Sequence, residues 1–422
     1  MQILIINYRF HFTGGPERYM FNVIEELEKR GHKIITFSVK NNKNIHSDYE
    51  SHFPRNINNS NEFLFEKYKK GGLFYYDFLT REFYSFYIKN QLENLLKVEK
   101  IDVCYLLPHK GSLSPSIIDS LKKYNIPIVH RISDYNIICP QAGLYRNRHF
   151  CDQCKKSSKN VIKYKCIRNS YLFSTIKYFS SSLHKKLSLY KKIEHFITTN
   201  DFAKNQFIEF GFDHEKITTI KTFANNINSK KLTNPTYPIK FLYVGNIDDS
   251  KGTFDLIEAI KELRKNINTN LFKLEIYGGL REHERERVSD LIGKDGLNDC
   301  ITLHSKVASN LVNQIYHDAD VCIIPARSVE NLPNVLIESL SNGTPIVVPD
   351  FGSFASAVDQ SVAYFFEAHS IDSLKCVLRN IIDKPMTIKE KSQFCADFAN
   401  KNFNKDKHMD TLLNIFEQYI KK

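Results

Sequence analysis

No apolar run in this chain of 422 residues approaches the ~20 that a membrane-spanning helix needs. The first apolar stretch, Ile3 to Ile6, is too short for the core of a secretory leader, so the sequence predicts a cytoplasmic protein, at most peripheral on the inner face of the membrane. A disulfide framework is also missing. Of nine cysteines, Cys104, Cys300, Cys322, Cys376 and Cys395 occur singly, which excludes the paired pattern of a small secreted domain. No internal sequence repeat is evident. One long segment lacks a charge sign altogether: between Lys155 and Lys192 there are eleven Lys and Arg residues and no Asp or Glu. Nearly all of the formal net charge of +12 sits there.

What is present alternates. Strand-like runs at Ile3 to Asn7, Ile101 to Leu107, Ile126 to His130, Phe196 to Thr199, Phe241 to Gly245, Leu274 to Tyr277, Val321 to Pro325 and Ile346 to Pro349 are separated by helical periods. This order predicts an α/β protein with parallel sheets, and the length suffices for two domains that each bury a core. A helix is expected from Gly15 to Arg30, opened by Pro16 and Glu17 and closed by Gly31, with Met20, Val23, Ile24 and Leu27 on one face. Polar residues 228–238, with two prolines, read as a linker between a first domain of residues 1–227 and a second of 239–402. A last helix within 403–422 carries Met409, Leu412, Leu413, Ile415 and Phe416.

The stretch Ser328-Val-Glu-Asn-Leu-Pro-Asn-Val-Leu-Ile-Glu338, with Gly343-Thr-Pro-Ile-Val-Val-Pro349 after it, holds two carboxylates eight positions apart. On one uniform helix these would point about 80° apart and could not share a small target. Pro333 suits the first position of a helix, which leaves Glu330 in a loop and Glu338 on the helix. A carboxylate accepts both protons of a ribose diol, and a helix start offers free N–H groups to phosphate. The strands on either side give the β-loop-α-β order of an open parallel sheet, whose ligands sit at the carboxyl ends of the strands. An isolated pair of glutamates is usually just a solvated helix face; this context points instead to a nucleotide-sugar site.

With these residues the chain resembles the retaining GT-B glycosyltransferases of family 4, whose signature is a Glu-x7-Glu pair followed by Gly-Thr-Pro. The likeness extends to Ile3-Leu-Ile-Ile-Asn7, to Thr13-Gly-Gly-Pro-Glu-Arg18 and Arg30-Gly-His-Lys33, and to Phe241-Leu-Tyr-Val-Gly245 with Lys251-Gly252. Residues of about 40 to 100 and 140 to 190 are poorly matched. The resemblance implies two Rossmann-like doubly wound domains facing a central cleft, with the C-terminal helix crossing back to the first domain. It implies transfer of a sugar from a nucleoside-diphosphate (NDP) sugar to a hydroxyl of a saccharide, lipid-linked in many relatives, with retention at the anomeric carbon. Lipopolysaccharide or capsule assembly is the usual setting, and no catalytic metal or other cofactor is needed.

Residue roles carry over position by position. Lys251 would face the diphosphate as charge develops on its oxygens, and Gly14 and Gly15 would let backbone approach the same phosphates. Glu338 would hold the ribose hydroxyls, and Glu330 the transferred sugar. Asn246 stands where relatives usually have Arg. Asn331 and Pro333 replace glycines, so a backbone cradle falls to Leu332, Asn334 and their neighbours, since proline has no N–H. In Arg131-Ile-Ser-Asp134, Ser133 occupies the place of the family's histidine; Asp134 is then the acceptor-side carboxylate, its bland alternative being a turn cap. His130 ends a buried-looking strand and reads as structural. Asp318-Ala-Asp320 precedes a strand and reads as structural rather than as a metal motif.

Two features lie outside this frame. Cys139, Cys151, Cys154 and Cys166 fall in one segment, about 139–192, and Cys151-Asp-Gln-Cys154 has zinc-ligand spacing, with His149 adjacent; a structural zinc, a redox pair and plain reduced thiols are the open readings. Within the basic segment, Leu172, Ile176, Phe179, Leu183 and Leu187 recur at helical spacing, with Tyr171, Phe173 and Tyr178 between them. That pattern fits a helix on an anionic membrane surface, or a solvated basic face over an ordinary core stripe. The competing functions are a nucleotide-sugar epimerase, which would need flanking bases that are not evident, and a basic zinc protein that binds nucleic acid. The other motifs point away from nucleic acid.

Overall fold

The computed structural model describes residues 1–63, 68–109, 111–228, 234–278, 282–305 and 311–420. It divides into two compact units, one of 1–143, 152–220 and 406–422, the other of 144–151 and 221–405. The division falls at residues 220 and 221, ahead of the polar stretch 228–238, whose residues 229–233 lie outside the described residues.

In the first unit β1 (Gln2–Ile6), β2 (Lys33–Phe37), β3 (Val103–Leu106) and β4 (Ile128–Arg131) come first in the chain. After the small antiparallel hairpin β5 (Tyr145–Arg146) and β6 (His149–Phe150), which counts with the second unit, follow β7 (His195–Thr198) and β8 (Ile217–Thr219). The sheet runs β2-β1-β3-β4-β7-β8, and every pairing in it is parallel. Helices cover both faces of such a sheet, and the central strands read accordingly as unbroken apolar runs, with all four residues of β3 buried. The helix Gly15–Lys29 follows β1, starts with Pro16 in its first turn and ends at Gly31, whose φ of +79° closes it.

The C-terminal helix Lys405–Ile420 belongs to the first unit from Asp406 onward. It buries His408, Met409, Leu412, Ile415 and Phe416. The Tyr19 hydroxyl meets His408 Nε2 at 2.9 Å and the Tyr105 hydroxyl at 2.7 Å, while the Phe416 ring lies edge-on to that of Tyr105.

The second unit holds β9 (Ile239–Val244), β10 (Phe272–Tyr277), β11 (Ile301–His304), β12 (Val321–Ile323), β13 (Ile346–Pro349) and β14 (Ala363–Phe366). Their order, β11-β10-β9-β12-β13-β14, is again all parallel. Alternation along β9 divides the core: Ile239, Phe241 and Tyr243 join Leu256, Ile260 and Leu378 on one face, while Leu242 joins Cys322, Leu336 and Val348 on the other. The strand order reverses between β9 and β12. Beyond the carboxyl ends of two such strands an open α/β sheet leaves a crevice for ligand. In the first sheet the reversal lies between β1 and β3.

Among the described residues no helix is long and apolar enough to cross a membrane. The four edge strands β2, β8, β11 and β14 are absent from the strand runs read in the sequence, whereas all eight of those runs appear as strands.

Candidate functional site

The loops after β9 and β12 flank the reversal of the second sheet, and they are fastened together. Backbone N–H groups of Arg327 and Ser328 both donate to Ser250 O at 3.0 Å. Gly252, at φ +74°, lies so close to the β12 loop that a Cβ there would be 1.8 Å from Pro325 O. Only glycine fits. The Asp248 carboxylate accepts from Lys251 N at 3.0 Å and from Ser250 Oγ at 2.5 Å, which caps the short turn that carries Lys251. The helix Thr253–Arg264 follows at once.

This stitching brings Lys251 Nζ to 2.7 Å from Glu330 Oε1, an oxygen that also accepts from Ser328 Oγ at 3.1 Å. Burial disfavours the ammonium charge, but the Glu330 carboxylate, with Asp248 behind it, outweighs burial and holds the Lys251 pKa above its usual value. Lys251 therefore stays a cation at neutral pH, poised beside a carboxylate that an incoming anion would have to outbid. Asn246 sits at the turn below, where its carbonyl accepts from the Tyr243 hydroxyl at 2.7 Å, and Tyr243 in turn accepts from Thr253 Oγ1 at 2.9 Å.

Glu330 lies in the loop and Glu338 within the helix Asn334–Ser341. Pro333 occupies the cap position just before that helix rather than its first turn, so Asn334 is the first residue to present a helical N–H. Leu332 is buried beneath the loop. The Glu338 carboxylate accepts from the Tyr316 hydroxyl at 3.0 Å, so each glutamate has its own partner within one loop-helix segment.

Sequence reasoning missed several members of this site. Arg327 grips Asp255, in the first turn of the helix after Lys251, through both Nε and Nη2, the latter at 2.6 Å from Oδ1. The β5–β6 hairpin joins the same cluster: Arg148 Nη2 lies 2.9 Å from Asp249 Oδ1 and 3.2 Å from Asp255 Oδ1. The Tyr145 hydroxyl reaches Asp249 Oδ2 at 3.4 Å, and burial with the Asp249 charge pushes its pKa up to about 12. Further along, His149 stacks edge-on against His369 and Phe150 against Phe351. These pairs are separated by 72 residues or more, and no local pattern announces them; the Asp248-x2-Lys251 cap was the one local signal available.

Gly14, Gly15, His130 and Asp134 belong to the first unit. Gly14 precedes the helix Gly15–Lys29 with φ −162°, extended backbone that any residue adopts. Both follow β1, beside that sheet's reversal. Asp134 Oδ1 accepts from Asn136 N at 2.7 Å, a local turn. His130 is buried, its Nδ1 2.8 Å from Leu106 O. Asp320 is structural, its carboxylate accepting from Lys240 N at 2.8 Å.

Among the described residues no three His, Cys, Asp or Glu side chains gather as metal ligands. Cys151 N donates to Leu144 O at the hairpin's end, Cys154 lies in the short helix Gln153–Lys156, and Cys166 Sγ faces Asn160 O at 4.0 Å.

Residues 225–402, which contain the whole Lys251–Glu338 site, match the family described as glycosyl transferases group 1. A capsular polysaccharide biosynthesis glycosyltransferase of Staphylococcus aureus, CapH, is 27% identical over 274 residues, 62% of this chain and 71% of the relative. A glycosyltransferase structure from Rickettsia africae superposes with a TM-score of 0.68 at 16% identity, covering 100% of this chain and 99% of that one. The Anabaena protein HepE, solved with UDP and glucose, gives 0.64 at 13% identity over 99% of this chain and all of its own. The two structural likenesses establish the two-sheet fold of the GT-B glycosyltransferases.

Proposed function

We propose that this chain, a group 1 glycosyltransferase, moves a hexose from an NDP-sugar to a hydroxyl of a saccharide acceptor, lipid-linked and destined for a cell-surface polysaccharide, with retention and without a catalytic metal. The observation that carries the reading is the Lys251–Glu330 pair, 2.7 Å apart and held by two loops at the reversal of a parallel sheet. A cation there meets the charge that grows on the departing diphosphate, and fixed charges cost no reorganisation when the bond breaks. In the free protein Glu330 occupies Lys251. A bound diphosphate would take over the ammonium and release the carboxylate toward the sugar, where it can stabilise positive character at the anomeric carbon.

Glu338 would accept from the ribose hydroxyls, and the N–H groups of Asn334 and its neighbours would donate to phosphate. Gly14 and Gly15 would supply backbone contacts to the phosphates, Leu332 would add its backbone to the cradle, Asn331 would contact the donor, and Asp134 would be the acceptor-side carboxylate. CapH and the UDP and glucose of the HepE structure support the substrate class.

The test is NDP release from UDP-, GDP- and ADP-sugars with a chelator present, using saccharide acceptors, and assignment of the product's anomeric configuration by NMR. Release from one donor with the configuration kept is the expected result. Inversion, or activity that returns only when a divalent ion is restored, would overturn the mechanism.

A further inference from the structure

A cleft of about 530 Å³ opens in the first unit at the amino end of its sheet, opposite the carboxyl-end crevice. Glu194 and Lys216, the residues just before β7 and β8, line it together with Asp213 and Glu215 from the turn ahead of β8. Lys122 and Asn125 come from around the end of the helix Ser116–Lys123, and Gln418 and Tyr419 from the last turn of the C-terminal helix. The protein's own hydrogen bonds hold these walls. Glu194 Oε2 accepts from Ile128 N at 2.8 Å, and its other carboxylate oxygen pairs with Lys122 Nζ. Asp213 Oδ1 accepts from Glu215 N at 3.1 Å. The Tyr419 hydroxyl lies 3.1 Å from His195 Nδ1, whose Nε2 meets Thr218 Oγ1 at 2.9 Å. With its hydroxyl engaged, Tyr419 has its ring to offer the cleft. Groups already held in place lose little freedom when a ligand arrives.

We propose that this cleft is a second saccharide site, which holds a stretch of the acceptor glycan away from its reacting end. Its volume is that of a small-molecule site, but its lining is polar where such sites are mostly apolar. An apolar ligand would strip water from charged groups and return no hydrogen bonds. Three carboxylates, Glu194, Asp213 and Glu215, outnumber the ammonium groups of Lys122 and Lys216, and Lys122 is already paired, so a phosphate or nucleotide is repelled. Those same ammonium groups oppose a metal ion. A neutral polyol meets none of these penalties. Each of its hydroxyls both donates and accepts, which suits carboxylates, the Asn125 and Gln418 amides and Lys216 together, and the apolar face of a pyranose packs on an aromatic ring such as that of Tyr419. That the polyol is a glycan rests on the transferase reading; the preference for a neutral polyol does not.

The test is saturation-transfer NMR and calorimetry of the full chain with neutral tri- to hexasaccharides of glucose, galactose and N-acetylglucosamine. The expected result is binding of at least one of them, insensitive to added salt. Affinity should fall roughly tenfold both in Tyr419→Ala and in Glu215→Ala with Gln418→Ala, while Tyr419→Phe, which keeps the ring, binds as the natural chain does. Glu215 and Gln418 are exposed, so that pair leaves the fold intact, and circular dichroism checks Tyr419→Ala. No binding of any of the saccharides, affinity unchanged in either variant, or binding that salt abolishes would overturn the proposal. So would loss of binding in Glu338→Gln, which would put the saccharide in the donor crevice. No sugar donor enters the measurement, and failure of the transferase reading shows separately as absence of NDP release.

Discussion

At the residue scale, Gly252 and Lys251 decide whether the donor loop works. A Cβ at residue 252 would overlap Pro325 O and would also sit at a φ of +74° that side chains rarely adopt. Gly252→Ala should therefore destabilise the second unit by about 2 kcal/mol or more, read as a lower denaturation midpoint. An unchanged midpoint would mean that the two loops are not clamped together. Lys251→Ala should cost some stability, because it leaves the largely buried Glu330 carboxylate without its partner, and should lower kcat of the folded enzyme roughly a hundredfold, because it removes a charge aimed at the transition state. Glu330 and Glu338 were legible in the sequence because a proline separates loop from helix, and Lys251 through the resemblance of Phe241-Leu-Tyr-Val-Gly245 with Lys251-Gly252 to the family's strand and basic loop. Arg327 with Asp255 and Arg148 with Asp249 were not, because each pair meets only when distant segments fold together.

At the scale of elements, the strands that the sequence hid are all at sheet edges. β8 (Ile217–Thr219) buries only Ile217 fully, and β11 (Ile301–His304) only Ile301, so neither shows the continuous apolar run by which buried parallel strands are recognised. Periodicity likewise revealed a stripe on Tyr171–Lys186 but not its burial: the helix buries Ser174, Ser180 and His184, half-buries Ile176 and Leu183, and leaves Leu172 and Phe179 exposed. The β5–β6 hairpin was invisible for a different reason, since two residues per strand carry no pattern. Its Arg148 is half exposed, so Arg148→Ala should cost no more than about 1 kcal/mol of stability. It should nevertheless weaken nucleotide binding several-fold in calorimetry, because Asp249 shares the turn of Lys251, and Arg148→Lys should recover part of that loss. Affinity unchanged in Arg148→Ala would reduce the hairpin to packing.

For the molecule as a whole, the first unit should be sensitive to acid. Burial, with His130 nearby, pushes the His109 pKa down to about 3; burial alone does most of the same for His130, and burial with Lys204 for His195, both to about 4. An unfolded chain binds protons near the ordinary value of 6.5 that these folded imidazoles refuse. Stability is then complete above pH 6.5 and falls as pH drops from there toward 4 and below. The melting temperature should follow that course, and His109→Gln should flatten it; a melting temperature level down to pH 4 would exclude these histidines as the cause. The central claim, a nucleotide-sugar site built on Lys251, Glu330 and Glu338, is tested most directly by thermal stabilisation with UDP, GDP and ADP, run beside Glu338→Gln. A ligand at a hundred times its dissociation constant should add about 2.7 kcal/mol. One nucleotide stabilising the natural chain, with the shift lost in Glu338→Gln, is the predicted result; no shift with any of the three, or an equal shift in the variant, would contradict it.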